Sequence, residues 1–423
     1  GAADIAVITI VDADLNTDST IIEVYTGNSD GTARAGTEAF VVTCNDGDCA
    51  STNPGLIKLV EDGTDSDTFI GVFTVTDDIG KDLEIGYTDS RDATGTSVVW
   101  YAIATIGSTS GTISLDRQVY PVPFDNLDLK TGANDNLNDF NGDGTNGDDG
   151  DVTVWVYVSD PDFTDDQLKA ASAPGTVTLI TDGQSNTEIY TFGGNVASGT
   201  ELGPMTETEQ GSNVYEISFT IDETQSSHQV LGGKTVIQVK YADANGDSGL
   251  PTSTFDSSTF DLRNGSLSAD KSVYIMGQDM VLTLTDEDLN LDSDSAESYT
   301  LGLIEWDSSA DPSELLTNTT AFAANPSLLE ETGSNTGVFQ TVITIPTAVT
   351  STDLELGESI TLTYRDAGRA GEQEVAPSSD DTVSQDVELE IAISNFGASI
   401  SLDKTVYDWT DTVNIEVVAP DHN

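Results

Sequence analysis

The sequence predicts an all-β chain of tandem β-sandwich modules, and three observations carry that expectation. Short runs rich in Val, Ile, Thr and Tyr alternate apolar with polar residues and are bounded by Gly, Asp, Asn and Ser, the period-two pattern of half-buried strands. Helical periodicity is almost absent, with only residues 166–172 suggesting a turn or two. The chain also matches itself at a long interval, which marks a repeat architecture.

The clearest strand runs lie at residues 5–11, 152–158, 281–285 and 360–364. Around them, four landmarks recur in fixed order. The first is Leu115-Asp116-Arg117-Gln118-Val119-Tyr120, matched by Ala269-Asp270-Lys271-Ser272-Val273-Tyr274 and Leu402-Asp403-Lys404-Thr405-Val406-Tyr407. The second is Asp12-Ala13-Asp14-Leu15-Asn16, then Asp160-Pro161-Asp162-Phe163-Thr164 and Asp286-Glu287-Asp288-Leu289-Asn290, with a worn copy at Ala419-Pro420-Asp421-His422-Asn423. The third is an acidic, polar loop running into an aromatic residue, at residues 63–73, 211–215 and 333–339. The fourth is Tyr87-Thr88-Asp89, Tyr241-Ala242-Asp243 and Tyr364-Arg365-Asp366.

A period of about 125 to 155 residues is too long for a solenoid and suits sandwiches of roughly seven strands. It divides the chain into modules at 1–106, 107–262 and 263–393 and the start of another at 394–423, with an acidic insertion at 125–151. Residue 1 follows the place of a first landmark and residue 423 stops just inside a module, so the sequence reads as cut from a longer array.

Charge is one-sided: 74 Asp and Glu face 14 Lys and Arg, a net charge of -60. So few cations cannot displace counterions from phosphates, which excludes nucleic acid and anionic membrane as partners and points to small cations instead. Self-repulsion on this scale opposes compaction unless salt screens it or bound metal neutralises it. The regular apolar runs argue against an acidic disordered tail. No apolar run is long enough to span a bilayer, and the first residues lack the basic and apolar regions of a signal peptide. The only cysteines, Cys44 and Cys49, enclose an Asn-Asp-Gly turn signal. A disulfide closing that hairpin would suit an oxidising, extracellular location.

Two acidic loops align residue for residue. Asp12, Asp14, Asn16, Asp18 and Glu23 stand at the same spacing as Asp286, Asp288, Asn290, Asp292 and Glu297. Calcium takes several oxygen ligands, and a curling loop presents alternate side chains inward, so both loops are candidate Ca2+ sites. Neither has the mid-loop glycine or flanking helices of an EF-hand. The second module keeps Asp160 and Asp162, with Asp166 beyond, but Ala171 stands where the glutamate is expected. Its insertion offers Asp139, Asn141 and Asp143 before Gly144, with Asp148 or Asp151 to close a further site. Turn chemistry is the plainer explanation of any one such Asp, since its side chain bonds the local backbone.

No pair of carboxylates stands out as a glycosidase dyad, because the recurring acids recur in every module. His228 and His422 have no nucleophile or metal constellation around them, so the chain reads as structural and not as an enzyme. The repeated Val-Tyr and Gly-x-Phe aromatics read as sandwich core. Asp116-Arg117, Asp270-Lys271 and Asp403-Lys404 place scarce cations alike, either for an inter-domain ion pair or as a solvated strand edge. Asn264 and Asn318 fit the glycosylation sequon.

The order of Leu-Asp-Lys-x-Val-Tyr, Asp-x-Asp-Leu-Asn-x-Asp and Glu331-Thr-Gly-Ser-Asn-Thr-Gly-Val-Phe339 resembles the surface-layer (S-layer) proteins of ammonia-oxidising archaea, the Thaumarchaeota. The resemblance covers essentially the whole chain, is strongest over 263–423 and weakest over 124–151. It implies immunoglobulin-like domains in an extended array, self-assembly into a porous two-dimensional lattice, calcium-dependent order, and an anionic mesh that enriches cations, ammonium among them, at the cell wall. A calcium-rigidified surface adhesin or filament is the alternative.

Overall fold

The computed structural model describes residues 5–26, 39–44, 58–74, 82–124, 127–128, 136–137, 150–163, 165–181, 185–222, 235–308, 314–316, 322–349, 352–366, 368, 370, 384–394 and 398–419. Outside them lie Asp139, Asn141, Asp143, Asp148, Cys49, both histidines and Asn318.

Alternation turns one face of each run inward. Val152, Val154, Val156 and Val158 are fully buried, while the residues between them are half-buried. The first module contains β1 (Ile5–Val11), β2 (Val24–Thr26), β3 (Ala39–Cys44), β4 (Lys58–Glu61), β5 (Thr68–Thr74), β6 (Asp82–Asp89) and β7 (Val98–Thr105). They form sheets of order β1-β5-β4-β2 and β3-β6-β7.

The second module opens with β8 (Thr112–Leu115) and β9 (Val119–Tyr120). In the insertion, β10 (Leu127–Asp128) pairs with β11 (Asn136–Leu137). There follow β12 (Val152–Ser159), β13 (Gln167–Leu168), β14 (Gly175–Thr181), β15 (Ser185–Phe192), β16 (Met205–Glu207), β17 (Val214–Ile221), β18 (Thr235–Asp243) and β19 (Thr252–Phe260). Its sheets run β13-β16-β17-β12-β8 and β15-β14-β18-β19-β9.

The third module repeats this plan. Its strands are β20 (Ser266–Ala269), β21 (Val273–Tyr274), β22 (Asp279–Thr285), β23 (Ser298–Thr300), β24 (Ile304–Ser308), β25 (Glu314–Leu315), β26 (Ala323–Glu331), β27 (Val338–Thr344), β28 (Ala348–Val349), β29 (Thr352–Asp353), β30 (Ser359–Asp366) and β31 (Gln385–Ile393). The sheet orders are β20-β22-β27-β26-β23 and β21-β31-β30-β24-β25. A hairpin of β32 (Ser399–Leu402) and β33 (Ile415–Val418) follows.

In modules two and three the opening segment divides between the sheets. β8 and β20 pair antiparallel with β12 and β22, whereas β9 and β21 run parallel to β19 and β31. Two facing sheets sharing their first strand in this way are the immunoglobulin-like arrangement. The chain is therefore all-β, a tandem array of immunoglobulin-like sandwiches. Tyr120, Tyr274, Phe69, Tyr215 and Phe339 are completely buried, so the recurring aromatics are core.

One expectation fails. Residues 166–172 form no helix: β13 pairs there with β16, burying Leu168 against Met205. The apolar cores of modules two and three are continuous, while that of module one is separate.

Candidate metal centre

Each acidic loop begins with a carboxylate that starts a short 3-10 turn. Asp12 and Asp286 accept the backbone N–H of Asp14 and Asp288 at 2.8 and 2.9 Å, capping the turns Ala13–Leu15 and Glu287–Leu289. Asp160 does the same for Asp162 at 3.0 Å. The other oxygen of each accepts the hydroxyl of the fourth landmark's tyrosine: Tyr87 to Asp12, Tyr241 to Asp160 at 2.6 Å and Tyr364 to Asp286 at 2.7 Å. The acid two residues after that tyrosine secures the chain entering the module, as Asp243 Oδ2 accepts Gly111 N and Asp366 Oδ2 accepts Gly265 N, at 2.9 and 2.8 Å.

Crowding has an electrostatic cost. Burial, then Asp288 and Asp366, pushes the Asp286 carboxyl well above the usual range. Burial pushes Asp288 up to about 7, although the Arg263 guanidinium lies 3.2 Å away and its backbone N–H also bonds Asp288. Asp160 and Asp162 are likewise raised, chiefly by burial.

The rest of the loop is engaged elsewhere. In module three Asn290 accepts Arg117 through its carbonyl and, at 2.8 Å, through Oδ1. Asp292 Oδ1 accepts the Trp155 indole N–H at 3.0 Å, Leu291 O accepts Thr153 N at 3.0 Å, and Ser293 donates to Asp116 at 2.7 Å. These five bonds join module three to module two. In module one Asn16 donates to Asp65 at 3.2 Å, Asp18 caps the turn at Thr20, and Asp14 is exposed. Asp12, Asn16 and Asp18 in one loop, and Asp286, Asp288, Asn290 and Asp292 in the other, therefore each hydrogen-bond other groups. Among the described residues no group of three or more Asp, Glu, His or Cys side chains is arranged to hold an ion.

One pair in each matched loop is different. Glu23 Oε1 accepts Thr17 and Asp18 N–H at 2.8 and 2.7 Å, and Glu297 Oε1 accepts Leu291 and Asp292 N–H at 3.0 and 2.5 Å. Their Oε2 atoms are buried with no hydrogen-bond donor. Beside them stand Glu61 and Glu331, buried acids that open the third landmark and bind its loop through Ser66 N and through Thr336 and Gly337 N. An orphaned carboxylate oxygen facing a second buried carboxylate needs a shared proton or a cation. Burial and Glu331 push Glu297 up to about 8. Burial also acts to raise Glu23, but hydrogen bonds from Thr17 and Asp18 outweigh it and hold Glu23 below the usual range. Glu61 and Glu331 went unnoticed as site residues, although both stand in the sequence as the acid that precedes each third-landmark glycine by two residues.

Module two keeps the second acid as Glu207, which accepts Gly211 and Asn213 N–H at 3.0 and 2.8 Å, and has an aspartate in place of the first. Its loop is shorter, and Asp166 takes the backbone place of Glu23 and Glu297, since Glu207 N bonds Asp166 O as Glu61 N bonds Glu23 O and Glu331 N bonds Glu297 O. Ala171 is therefore not the counterpart of the glutamate. Asp151 lies immediately before β12. Asn264 Oδ1 accepts Ala370 N at 3.0 Å.

No family model and no curated protein matches this chain. Among solved structures it is similar to the adhesin FdeC of Escherichia coli, at 11% identity over 92% of this chain and 93% of that one, TM-score 0.20. The mouse nectin-like molecule 4 ectodomain gives 10%, 93% and 95% with TM-score 0.24. The adhesin InvE of Yersinia pseudotuberculosis gives 12%, 67% and 60% with TM-score 0.18. At such scores the immunoglobulin-like character rests on the strand order of the modules themselves.

Proposed function

We propose that this chain is a structural subunit of an extracellular surface layer, assembling with copies of itself into a porous, strongly anionic sheet that concentrates small cations. The observation that carries this reading is repetition. The capping aspartate of one module recurs with the same tyrosine partner in the next, so its chemistry supports the architecture of every module instead of building one reactive site. A net charge of -60 gives such a sheet a field that draws cations and repels anions.

Calcium is the cation we propose for order within the modules, held at Glu23 and Glu61 and at Glu297 and Glu331. The orphaned Oε2 atoms support this placement. Ca2+ binds hard oxygen ligands and would replace carboxylate repulsion with attraction there.

The test is thermal unfolding and electron microscopy of the purified chain with calcium and with chelator, at high constant ionic strength. Calcium should raise the melting temperature and favour ordered sheets. Glu297→Gln with Glu331→Gln should be stable in chelator and lose the calcium response of module three. Asp288 and Asp292 are unsuitable for this purpose, because removing them breaks contacts to Arg263 and Trp155 with or without metal. A melting temperature indifferent to calcium overturns the metal assignment. Stabilised modules that form isolated fibres, never sheets, overturn the surface-layer reading in favour of an adhesin.

A further inference from the structure

The loop that seats module three on module two is held from behind by the glutamate pair. Toward module two, Asn290 accepts Arg117, Leu291 O accepts Thr153 N, Asp292 Oδ1 accepts the Trp155 indole N–H and Ser293 donates to Asp116. The backbone N–H groups of Leu291 and Asp292 are both taken by Glu297 Oε1, at 3.0 and 2.5 Å. Two successive residues are therefore gripped between Glu297 and the neighbouring module.

Glu331 grips the adjoining loop in the same way. Its Oε1 accepts Thr336 and Gly337 N–H at 2.6 and 2.8 Å, and its Oε2 lies 3.4 Å from Glu297 N. Asn335 of that loop accepts Asn290 Nδ2 at 2.9 Å, so the two loops meet at the residue that receives Arg117. What the pair leaves over is the buried, donorless Oε2 of Glu297. Its equivalent Glu23 is only 8% exposed and carries the same orphaned oxygen.

Neutralising the pair thus decides how firmly the loop is held. Two carboxylates in a buried pocket repel far more strongly than in water. Any displacement of Glu297 carries Leu291 and Asp292 with it, because one of its oxygens holds both N–H groups. A cation shared by the two acids draws them together and fixes the loop. The seat is close-fitting, with Leu291 6% and Arg117 8% exposed, so small displacements there break contacts.

We propose that calcium at Glu297 and Glu331 is the latch of the joint between modules two and three, and that its loss loosens residues 290–293 from module two and lets the modules bend. This rests on the calcium reading of the pair and names what that site regulates: the stiffness of the array at this joint. Such coupling is reciprocal. Calcium tightens the joint, so the joint tightens calcium, even through side chains that touch neither glutamate.

Trp155 is the reporter. Trp100→Phe and Trp409→Phe remove the exposed indoles, leaving Trp155 at the joint and Trp306, which is fully buried. In that chain, chelation at constant ionic strength should raise acrylamide quenching severalfold, and adding Glu297→Gln with Glu331→Gln should make quenching indifferent to calcium. Calorimetric titration with Ca2+ supplies the reciprocal measurement. The binding that Glu297→Gln with Glu331→Gln abolishes should weaken by about fivefold in Arg117→Ala. Trp155→Phe, which keeps the packing, should shift it in the same direction. Calcium that binds the pair while quenching stays constant, with affinity unchanged in both joint variants, overturns the latch and leaves the metal reading in place. Titrations in which the double glutamine substitution removes no calcium binding overturn both.

Discussion

Glu297 shows how one side chain couples folding to solution conditions. Its Oε1 is held by the backbone of its own loop, and its Oε2 has no donor beside buried Glu331. With calcium chelated, the folded state keeps a proton there up to about pH 8, whereas the unfolded chain releases it near the usual 4.5. The folded state therefore binds more protons across that window, and stability falls as pH rises through it. Module three in chelator should melt lower at pH 8 than at pH 5, and Glu297→Gln should reduce the slope, the remainder coming from Asp286 and Asp288, whose carboxyls burial also raises. Calcium at neutral pH should reduce it too. A wild-type melting temperature that climbs with pH in chelator would contradict the assignment. At this scale the sequence was partly legible. Spacing drew attention to Glu23 and Glu297, but their partners Glu61 and Glu331 lie 38 and 34 residues away, and only strand pairing brings them together. The same holds for Tyr364 and Asp286, 78 residues apart, whose recurrence was visible and whose bond was not.

Between elements, the entry of the chain into each module depends on a glycine. A Cβ on Gly265 would stand 2.9 Å from both Asp286 Oδ2 and Tyr364 Cε1, and one on Gly111 would stand 2.7 Å from Tyr241 Cε1. These backbones approach the Tyr–Asp bond closely because their N–H groups donate to Asp366 and Asp243. Gly265→Ala should therefore cost about 1–3 kcal/mol, as overpacking does in a tight interior. Gly107→Ala, with nothing within 4 Å of its added Cβ, should change stability by less than about 0.5 kcal/mol. Denaturant titration of both variants checks the contrast, and equal midpoints would show that the entry is loose. Strands were well marked in the sequence because one buried face imposes period two. The runs at 5–11, 152–158, 281–285 and 360–364 all fall within observed strands. The stretch 166–172 misled because a short edge strand buries one side chain and leaves no period to read.

Across the whole molecule, the loop of module three lies on module two. Arg117 and Asp116 are only 8% and 6% exposed there, whereas the equivalent Lys271 and Asp270 are 42% and 34% exposed. The scarce cation is thus a joint residue in one module, through hydrogen bonds to the neutral Asn290 instead of the inter-domain ion pair that was one expectation, and a solvated strand edge in the other. Lys271 instead sits 5.9 Å from the ring of Tyr274, and Lys404 repeats this at 5.8 Å from Tyr407. Leu291 is buried at the joint, and a single apolar core runs through modules two and three. These two modules should unfold as one cooperative unit and module one as another, giving two calorimetric transitions. Arg117→Ala removes two charge-assisted hydrogen bonds to Asn290 and leaves buried acceptors unpaired, a loss of about 2–3 kcal/mol at the joint. The larger transition should then broaden or divide, while the module-one transition stays where it was. Trp155→Phe keeps the packing and loses only the bond to Asp292, so its effect should have the same sign and a smaller size. If Arg117→Ala leaves the larger transition sharp and unmoved, the modules cohere through their apolar contact alone and the polar joint adds nothing to it.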